Sequence, residues 1–257
     1  SEMCIRDRGT FDYYQRATTG MLGPGKILSA ILGAAEPEEN AADMVTRGWE
    51  LSLAWNDQLE NGLHYSLGFN LSDTRAEITK YDNPTGTLND LYVGKRLGEI
   101  WGYTTDGFIM DAAEASEQSV RQSYISNTWI PGDIRYADLN GDGVVNEGDS
   151  EKGPINTLSN HGDKSVIGNE TPRYRFNINL GLSWKNFDVR ALFEGVMKRD
   201  LWLSSEVFWG FNGVWNSAIN DYHVDNSWSE ENPNAYYPVP LWNGRSRQVQ
   251  TKYLQNA

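Results

Sequence analysis

The sequence contains a single cysteine, Cys4, in 257 residues. One cysteine excludes a disulfide within the chain and a cluster of thiolate ligands around a metal ion. No run of 18 apolar residues occurs, so the sequence predicts no transmembrane helix. This absence does not exclude membrane-spanning β-strands, because such strands carry a much weaker hydropathy signal than helices.

Positive charge is scarce as well. The chain has 22 Lys and Arg residues against 35 Asp and Glu, which gives a net charge of −13. Nucleic acid is therefore excluded as a partner, because phosphate binding needs clustered Lys and Arg. Aromatic residues reach 12%, including ten Trp. That content is too high for a disordered chain, which lacks the apolar surface to offset its conformational entropy.

Groups that catalyse reactions are sparse. The three histidines, His64, His161 and His223, lie far apart in the sequence. No serine occupies a nucleophile-elbow motif. Acidic residues are abundant, so their presence does not point to a pair of catalytic carboxylates. From its sequence, we expect the protein not to be an enzyme.

The first eight residues, "SEMCIRDR", lack the n-region, apolar h-region and cleavage site of a secretory signal. They look like a translated sequencing adapter. We expect residues 1–8 to be a non-native leader and residues 9–257 to form the folded part.

Four segments alternate apolar and polar residues with a period of two. They are 47–55 "RGWELSLAW", 62–72 "GLHYSLGFNLS", 173–184 "RYRFNINLGLSW" and 187–197 "FDVRALFEGVM". A helix would need apolar residues at every third or fourth position, so these segments are predicted to be β-strands. The fold class is predicted to be all-β.

Aromatic residues stand at both ends of the apolar face in two of these strands. In segment 173–184, Tyr174 and Trp184 are separated by about 34 Å along an extended strand. Trp49 and Trp55 play the same part in segment 47–55. An apolar band between two aromatic girdles is typical of strands in an outer-membrane barrel.

The opposite face of segment 173–184 is polar, with Arg173, Arg175, Asn177 and Asn179 in alternation. A sealed core would not accept these side chains without partners, whereas a water-filled lumen would. A large soluble β-sandwich also has alternating strands and stays the alternative from the pattern alone. The connections favour the barrel: turns at 56–62 and 185–186 are short, whereas loops at 17–45, 82–172 and 198–257 are long, as periplasmic turns and extracellular loops are.

Residues 138–149, "DLNGDGVVNEGD", have the spacing of a calcium-binding loop. Ca²⁺ takes six to eight oxygen ligands, which alternate side chains of a tight turn can supply, and Gly143 permits the bend. The candidate ligands are Asp138, Asn140, Asp142, the Val144 carbonyl, Asn146 and Asp149. Since the flanking residues are not helical in pattern, we expect a structural Ca²⁺ that braces a long loop (133–151). The alternative is a solvated acidic turn without an ion.

Several stretches, in their order and spacing, resemble the SusC/RagA-like TonB-dependent outer-membrane transporters of Bacteroidetes. They are 12–22, 46–55, 65–81, 100–108 "IWGYTTDGF", 131–149, 167–195 and 198–202 "KRDLW". Complete members of that family carry an N-terminal plug and a large antiparallel transmembrane β-barrel of about 22 strands with long extracellular loops. The resemblance implies that residues 9–257 are a fragment of such a barrel, without the plug.

The resemblance also implies a function and partners. The expected function is part of a TonB-dependent importer in the outer membrane, taking up oligosaccharides or other glycans, with peptides as the second substrate class. The expected partners are a SusD-like lipoprotein, outer-membrane lipid, and the TonB–ExbB–ExbD motor acting on the missing plug. The alternative function is that of a secreted, calcium-binding carbohydrate-binding β-module.

Overall fold

The computed structural model describes residues 7–24, 38–210, 219–241 and 244–256. The strands are β1 (Asp7–Pro24), β2 (Glu38–Gln58), β3 (His64–Lys80), β4 (Glu99–Tyr103), β5 (Thr105–Phe108), β6 (Ile134–Tyr136), β7 (Lys164–Asn169), β8 (Arg173–Trp184), β9 (Phe187–Lys198), β10 (Asp200–Trp202) and β11 (Leu254–Asn256). The helices are α1 (Ala112–Arg121), α2 (Glu206–Trp209), α3 (Asp221–Asp225) and a 3₁₀ turn (Arg245–Arg247). Within these ranges, no helix is long and apolar enough to cross a membrane.

Five long strands form one antiparallel sheet in the order β1-β2-β3-β8-β9. The four segments that alternate in sequence are β2, β3, β8 and β9, so their prediction as strands is confirmed. β2 alone has 21 residues, where an ordinary strand has about five or six. Short turns join β2 to β3 and β8 to β9, as expected.

The predicted bounds of the loop at 17–45 are wrong. β1 continues to Pro24 and β2 begins at Glu38, so paired strand occupies both flanks of that range. The alternation fades there, yet ladder hydrogen bonds continue, because they join backbone groups and need no apolar side chains. β1 also begins at Asp7, before the predicted start of the folded part at residue 9; residues 1–6 of the predicted leader lie outside the described ranges.

The register places all the apolar alternations on one side of the sheet. Leu53, Phe69, Ile178 and Phe193 are consecutive cross-strand partners in β2, β3, β8 and β9. Their sequence neighbours Ser52, Asn70, Asn177 and Glu194 form the adjacent row, which points to the opposite side because successive side chains alternate. We call these two sides the apolar face and the polar face.

In the part of the chain that the structure describes, the apolar face is open and no second layer packs against it. Leu67 is 44% exposed, Leu180 40% and Phe193 54%, and Leu51 is half-buried. A soluble β-sandwich would bury these side chains between two sheets. The sheet therefore does not have the interior that the sandwich alternative requires.

The long connections after β3 and after β9 fold together into a second unit, which we call the loop unit (residues 84–169, 203–210, 219–241 and 244–253). Its core is aromatic and includes Tyr103, Trp129, Tyr136, Trp209 and Tyr253, all buried. Short two-stranded sheets β4–β7 and β5–β6 flank it. α1 starts at Asp111, whose side chain accepts a hydrogen bond from the Glu114 backbone N–H, the usual N-cap arrangement.

A buried ion pair joins distant parts of the loop unit. Arg245 Nη2 lies 2.6 Å from Asp133 Oδ2, and both residues are buried. Asp133 also accepts hydrogen bonds from the Ser246 hydroxyl and the Ile130 backbone N–H. A buried carboxylate needs such partners, because an unpaired buried charge is strongly destabilising. The pair thereby fixes the 3₁₀ turn against the strand β6.

The two ends of the large sheet differ. The short turns lie at one end, which we call the turn end. β1 and β3 end, and β2 begins, at the opposite end, where the long connections leave the sheet; we call it the loop end. The loop unit adjoins the loop end, where the backbone of residues 94–97 pairs with the C-terminal part of β3.

Candidate functional site

The polar face carries a network of hydrogen-bonded side chains. Asn179 Nδ2 donates to Asn177 Oδ1 at 2.5 Å, and Asn177 Nδ2 donates to Glu194 Oε1 at 3.1 Å. These groups remain partly or fully exposed. A surface of this kind suits contact with water and polar solutes.

Arg173, which the alternation of β8 predicts on the polar face, lies elsewhere. Tyr174 has a φ of 54°, in the left-handed region, so the alternation of β8 is interrupted between Arg173 and Arg175. Arg173 instead forms a two-point ion pair with Asp73, which shares its side of β3 with Leu71. Nothing in the residue pattern indicates this interruption, because Tyr is a common strand residue.

Aromatic residues border the apolar face at both ends. On the side of the apolar face toward the loop end, the rings of Phe11 and Trp49 stack with centroids 6.3 Å apart. At the turn end, Trp55 Nε1 donates to the Tyr65 hydroxyl at 3.2 Å. Trp184, also at the turn end, lies beneath the Lys185 ammonium at 4.3 Å. Rings with one apolar side and one polar contact suit a boundary between hydrocarbon and water.

The acidic loop folds around Asp138. Its two carboxylate oxygens accept hydrogen bonds from the backbone N–H groups of Gly141 and Gly143, whose positive φ angles only glycine adopts readily. Asp142 accepts one from the Val144 N–H at 2.9 Å, and Asn140 accepts one from Asp142. Val145, next in the chain, is buried in the core of the loop unit. The predicted turn is therefore formed, and it is anchored at its centre.

The other two predicted ligands, Asn146 and Asp149, have partners of their own. Asn146 Oδ1 accepts a hydrogen bond from the Gly148 N–H at 2.6 Å. Asp149 pairs with Lys152 at 3.1 Å, and the Glu151 N–H together with that ammonium lowers the pKa of its carboxyl. Among the described residues, no three His, Cys, Asp or Glu side chains converge closely enough to hold a metal ion.

A buried carboxylate that the sequence did not single out supports the same loop. Asp163 is fully buried, and it accepts hydrogen bonds from the backbone N–H groups of Leu139, Asn140 and Asn146. Burial raises the pKa of the Asp163 carboxyl, while these three N–H groups act in the opposite direction. Because Asp163 follows the motif in the chain, no spacing rule for the loop would have found it.

The fold and the sequence both match known outer-membrane receptors. No family model matches the chain. The chain is 24% identical to TonB-dependent receptor P3 of Formosa agariphila over 262 residues, which is 95% of this chain and 23% of that protein. It is 22% identical to TonB-dependent receptor P26 of the same organism, over 88% of this chain and 22% of that protein.

Solved structures of the RagAB peptide transporter share the fold. One superposes with a TM-score of 0.62 at 22% identity and covers 98% of this chain and 25% of the transporter chain. The 'closed-closed' state of the RagAB peptide importer gives a TM-score of 0.63 at 22% identity, with the same coverage. The chain is a relative of the SusC/RagA-like TonB-dependent transporters. It spans about a quarter of the length of the relatives that it matches.

The relatives bear on location as well, because TonB-dependent receptors are outer-membrane proteins. The relatives are named as receptors and transporters, which agrees with the absence of a catalytic motif in the sequence.

Trp and Tyr rings in the long loops could stack on sugar rings if they were open to solvent, but most of them form the core of the loop unit. Tyr103, Trp129, Trp209 and Tyr237 are buried. Trp101 is half-buried and donates to the Tyr92 hydroxyl at 3.0 Å. Tyr236 is also half-buried, and Trp215 lies outside the described residues. The buried rings cannot stack on a solute from outside.

The histidines have three different settings. His64 is exposed on the polar face near the turn end, and His161 contacts the ring of Trp101 at 5.4 Å. His223 is buried and completes the capping box of α3 with Asn220. They do not share a site.

We predict that Asp163→Asn loosens the acidic loop. The amide keeps one acceptor oxygen and turns an N–H toward backbone donors, so the loop should lose about 1–3 kcal/mol of local stability. Hydrogen exchange of residues 138–149, measured in the expressed protein that carries this sequence, should become about fivefold faster or more. Glu151→Gln, a change of the same charge at an exposed position, should leave the rate unchanged; equal acceleration by both variants would contradict the anchoring role of Asp163.

Proposed function

We propose that this chain is part of a TonB-dependent outer-membrane importer of nutrients. Its five-stranded sheet is one arc of a closed antiparallel transmembrane β-barrel of about 22 strands. The observation that carries this proposal is an exposed apolar face on one side of the sheet and a polar face on the other, kept in register across β2, β3, β8 and β9. In a barrel, the first face meets lipid and the second meets the aqueous lumen.

The physics of the bilayer supports the closed barrel. Monomeric soluble proteins rarely expose contiguous apolar patches of more than a few hundred Å². Hydrocarbon accepts such a face, but it cannot satisfy unpaired backbone N–H and C=O groups. β1 and β9 are the outer strands of this sheet. Their outer edges therefore require further strands as partners in the membrane.

The substrate enters through the loop unit and passes along the polar face. The alternation of amide, carboxylate and guanidinium groups on that face suits oligomeric polar nutrients. We propose oligosaccharides or other glycans as the substrate class and peptides as the alternative class, the latter supported by the name of the RagAB peptide importer. A SusD-like lipoprotein covers the extracellular mouth, and the TonB–ExbB–ExbD motor acts through a plug.

The secreted carbohydrate-binding module is the less supported alternative. A secreted protein would have to cover Leu67, Leu180 and Phe193, which are exposed. Its relatives would also be expected among secreted modules, whereas they are membrane receptors.

We also propose that the acidic loop holds a structural Ca²⁺. Each carboxylate oxygen that accepts one N–H retains a second lone pair, so Asp138 and Asp142 could still ligate an ion together with Asn140 and the Val144 carbonyl. Asn146 and Asp149 would have to rotate from their present partners to complete the set. The ion would offset repulsion among carboxylates and brace the loop unit.

Uptake measurements test the importer. A strain that lacks the gene should fail to grow on one oligomeric nutrient class, glycan or peptide, and should still grow on the corresponding monomers. The wild-type gene should restore growth, and inactivation of TonB should abolish it again. Unchanged growth on every oligomer, with the protein confirmed as expressed before deletion, would contradict import.

Two neighbouring residues of β8 test the membrane orientation of the sheet. Leu180→Arg places a charge on the proposed lipid side and should destabilise the barrel by about 2–4 kcal/mol near mid-membrane. Asn179→Arg places the same charge on the polar face, where the cost should be below about 1 kcal/mol. Both positions are exposed. Unfolding in urea, followed by the loss of heat-modifiable migration on gels, gives the comparison; equal costs would refute the assignment of faces.

Metal analysis tests the calcium proposal. The purified receptor should retain Ca²⁺ after dialysis against EDTA followed by Ca²⁺, and Asp138→Ala with Asp142→Ala should abolish retention because both carboxylates are lost. Glu117→Gln, an exposed change on α1, serves as the control. Equal Ca²⁺ content in the double variant and the wild type, or none in either, would end the proposal.

A further inference from the structure

A cavity opens on the apolar face beside the start of β8, on the side of Trp49 toward the loop end. Its volume is about 560 Å³. Its wall combines three arginines with three aromatic rings: Arg47, Arg75, Arg96, Tyr13, Trp49 and Tyr174. Such a concentration of positive charge is unusual in a chain whose net charge is −13. We call this cavity the arginine cavity.

The arginines stand on neighbouring backbone segments. Arg47 of β2 is the direct cross-strand partner of Arg75 of β3, and like charges directly opposite each other destabilise a sheet. Arg96 belongs to the segment that pairs with β3, opposite Glu77. An anion between these side chains would turn a repulsive arrangement into an attractive one.

The acids nearby do not neutralise this group. Asp73, which also lines the cavity, is engaged by Arg173. Arg47 donates from Nε to Gln15 at 3.1 Å, which leaves its terminal amino groups available. In the described ranges, the side chains of Arg75 and Arg96 take part in no hydrogen bond or ion pair, and both residues are exposed. Within the lining, two carboxylates, those of Asp73 and Glu77, face three guanidinium groups, and Asp73 is already paired with Arg173 outside the lining.

The depth of the arginines along the strand indicates what the anion belongs to. Arg47 lies two residues beyond Trp49, which is about 7 Å along β2 toward the loop end. The head-group layer of a bilayer extends about 5–7 Å beyond the hydrocarbon on each side. If the ring of Trp49 lies at the hydrocarbon boundary, the guanidinium group of Arg47 lies at the level of the lipid phosphates.

We propose that the arginine cavity binds the phosphate-bearing head group of a lipid from the leaflet at the loop end, with the acyl chains lying against the apolar face. Guanidinium groups match phosphate oxygens in two-point contacts, and the rings of Tyr13 and Trp49 flank the head group. The site rests on the proposed membrane placement of the sheet. It does not require that the receptor transports any particular substrate.

Lipid titration of the purified receptor tests the site. The protein is held in dodecyl maltoside, which contains no phosphate, and bis-phosphorylated lipid A is the probe. Lipid A should raise the thermal midpoint, and added salt should reduce the rise because the contacts are charged. Arg47→Gln with Arg75→Gln and Arg96→Gln should weaken binding about tenfold or more. Arg190→Gln, an exposed arginine on β9 that shares the polar-face alternation, should bind as the wild type does.

Three further arms make the outcome decisive. Dephosphorylated lipid A should give a much smaller rise, and inorganic phosphate alone should give none. A rise with inorganic phosphate equal to that with lipid A would show a free-anion site and overturn the lipid assignment. If the triple variant does not fold, Arg75→Gln alone, with bound lipid counted by native mass spectrometry, replaces it. Equal lipid counts in this variant and the wild type would overturn the proposal, whatever the uptake assays show.

Discussion

The structure depends on one constraint, which is the register of five antiparallel strands. Because side chains alternate with a period of two, a slip of one residue in any pair would move a whole set of leucines and phenylalanines to the polar side. The partners Leu53, Phe69, Ile178 and Phe193 show no such slip. Both faces exist only because this alignment holds across β2, β3, β8 and β9, whereas β1 and β2 show register shifts toward the loop end.

The loop unit is stabilised by different interactions. Its aromatic core is small, and it is completed by buried polar groups whose partners are distant in sequence, such as Asp133 with Arg245 and Asp163 with the backbone of the acidic loop. These carboxylates are costly to bury alone, but each is fully engaged. The unit is thereby specified by long-range hydrogen bonds, whereas the sheet is specified by local alternation.

That difference explains what the sequence alone could predict. Alternation is a local property, so β2, β3, β8 and β9 were predictable, and so was the turn at Asp138, where Gly141 and Gly143 stand at fixed offsets. The role of Asp163 was not predictable, because only the folded chain brings it to the acidic loop. The interruption of the β8 alternation at Arg173 was not predictable either, because it follows from the backbone φ angle of Tyr174. The sequence also does not distinguish a loop aromatic that packs in a core from one that faces a solute, whereas the structure places Tyr103, Trp129 and Trp209 in the core.

The two rims of the apolar face are chemically unequal, and this asymmetry bears on orientation. The turn end carries an aromatic rim with one lysine, Lys185, over Trp184. The loop end carries an aromatic rim followed by the arginine cavity. Aromatic rings favour either interface of a bilayer, so they fix depth but not direction. Clustered guanidinium groups favour the leaflet whose head groups supply more phosphate. Depth and direction are thus set by separate residues on the same strands, with the rings acting at both rims and the arginines at one.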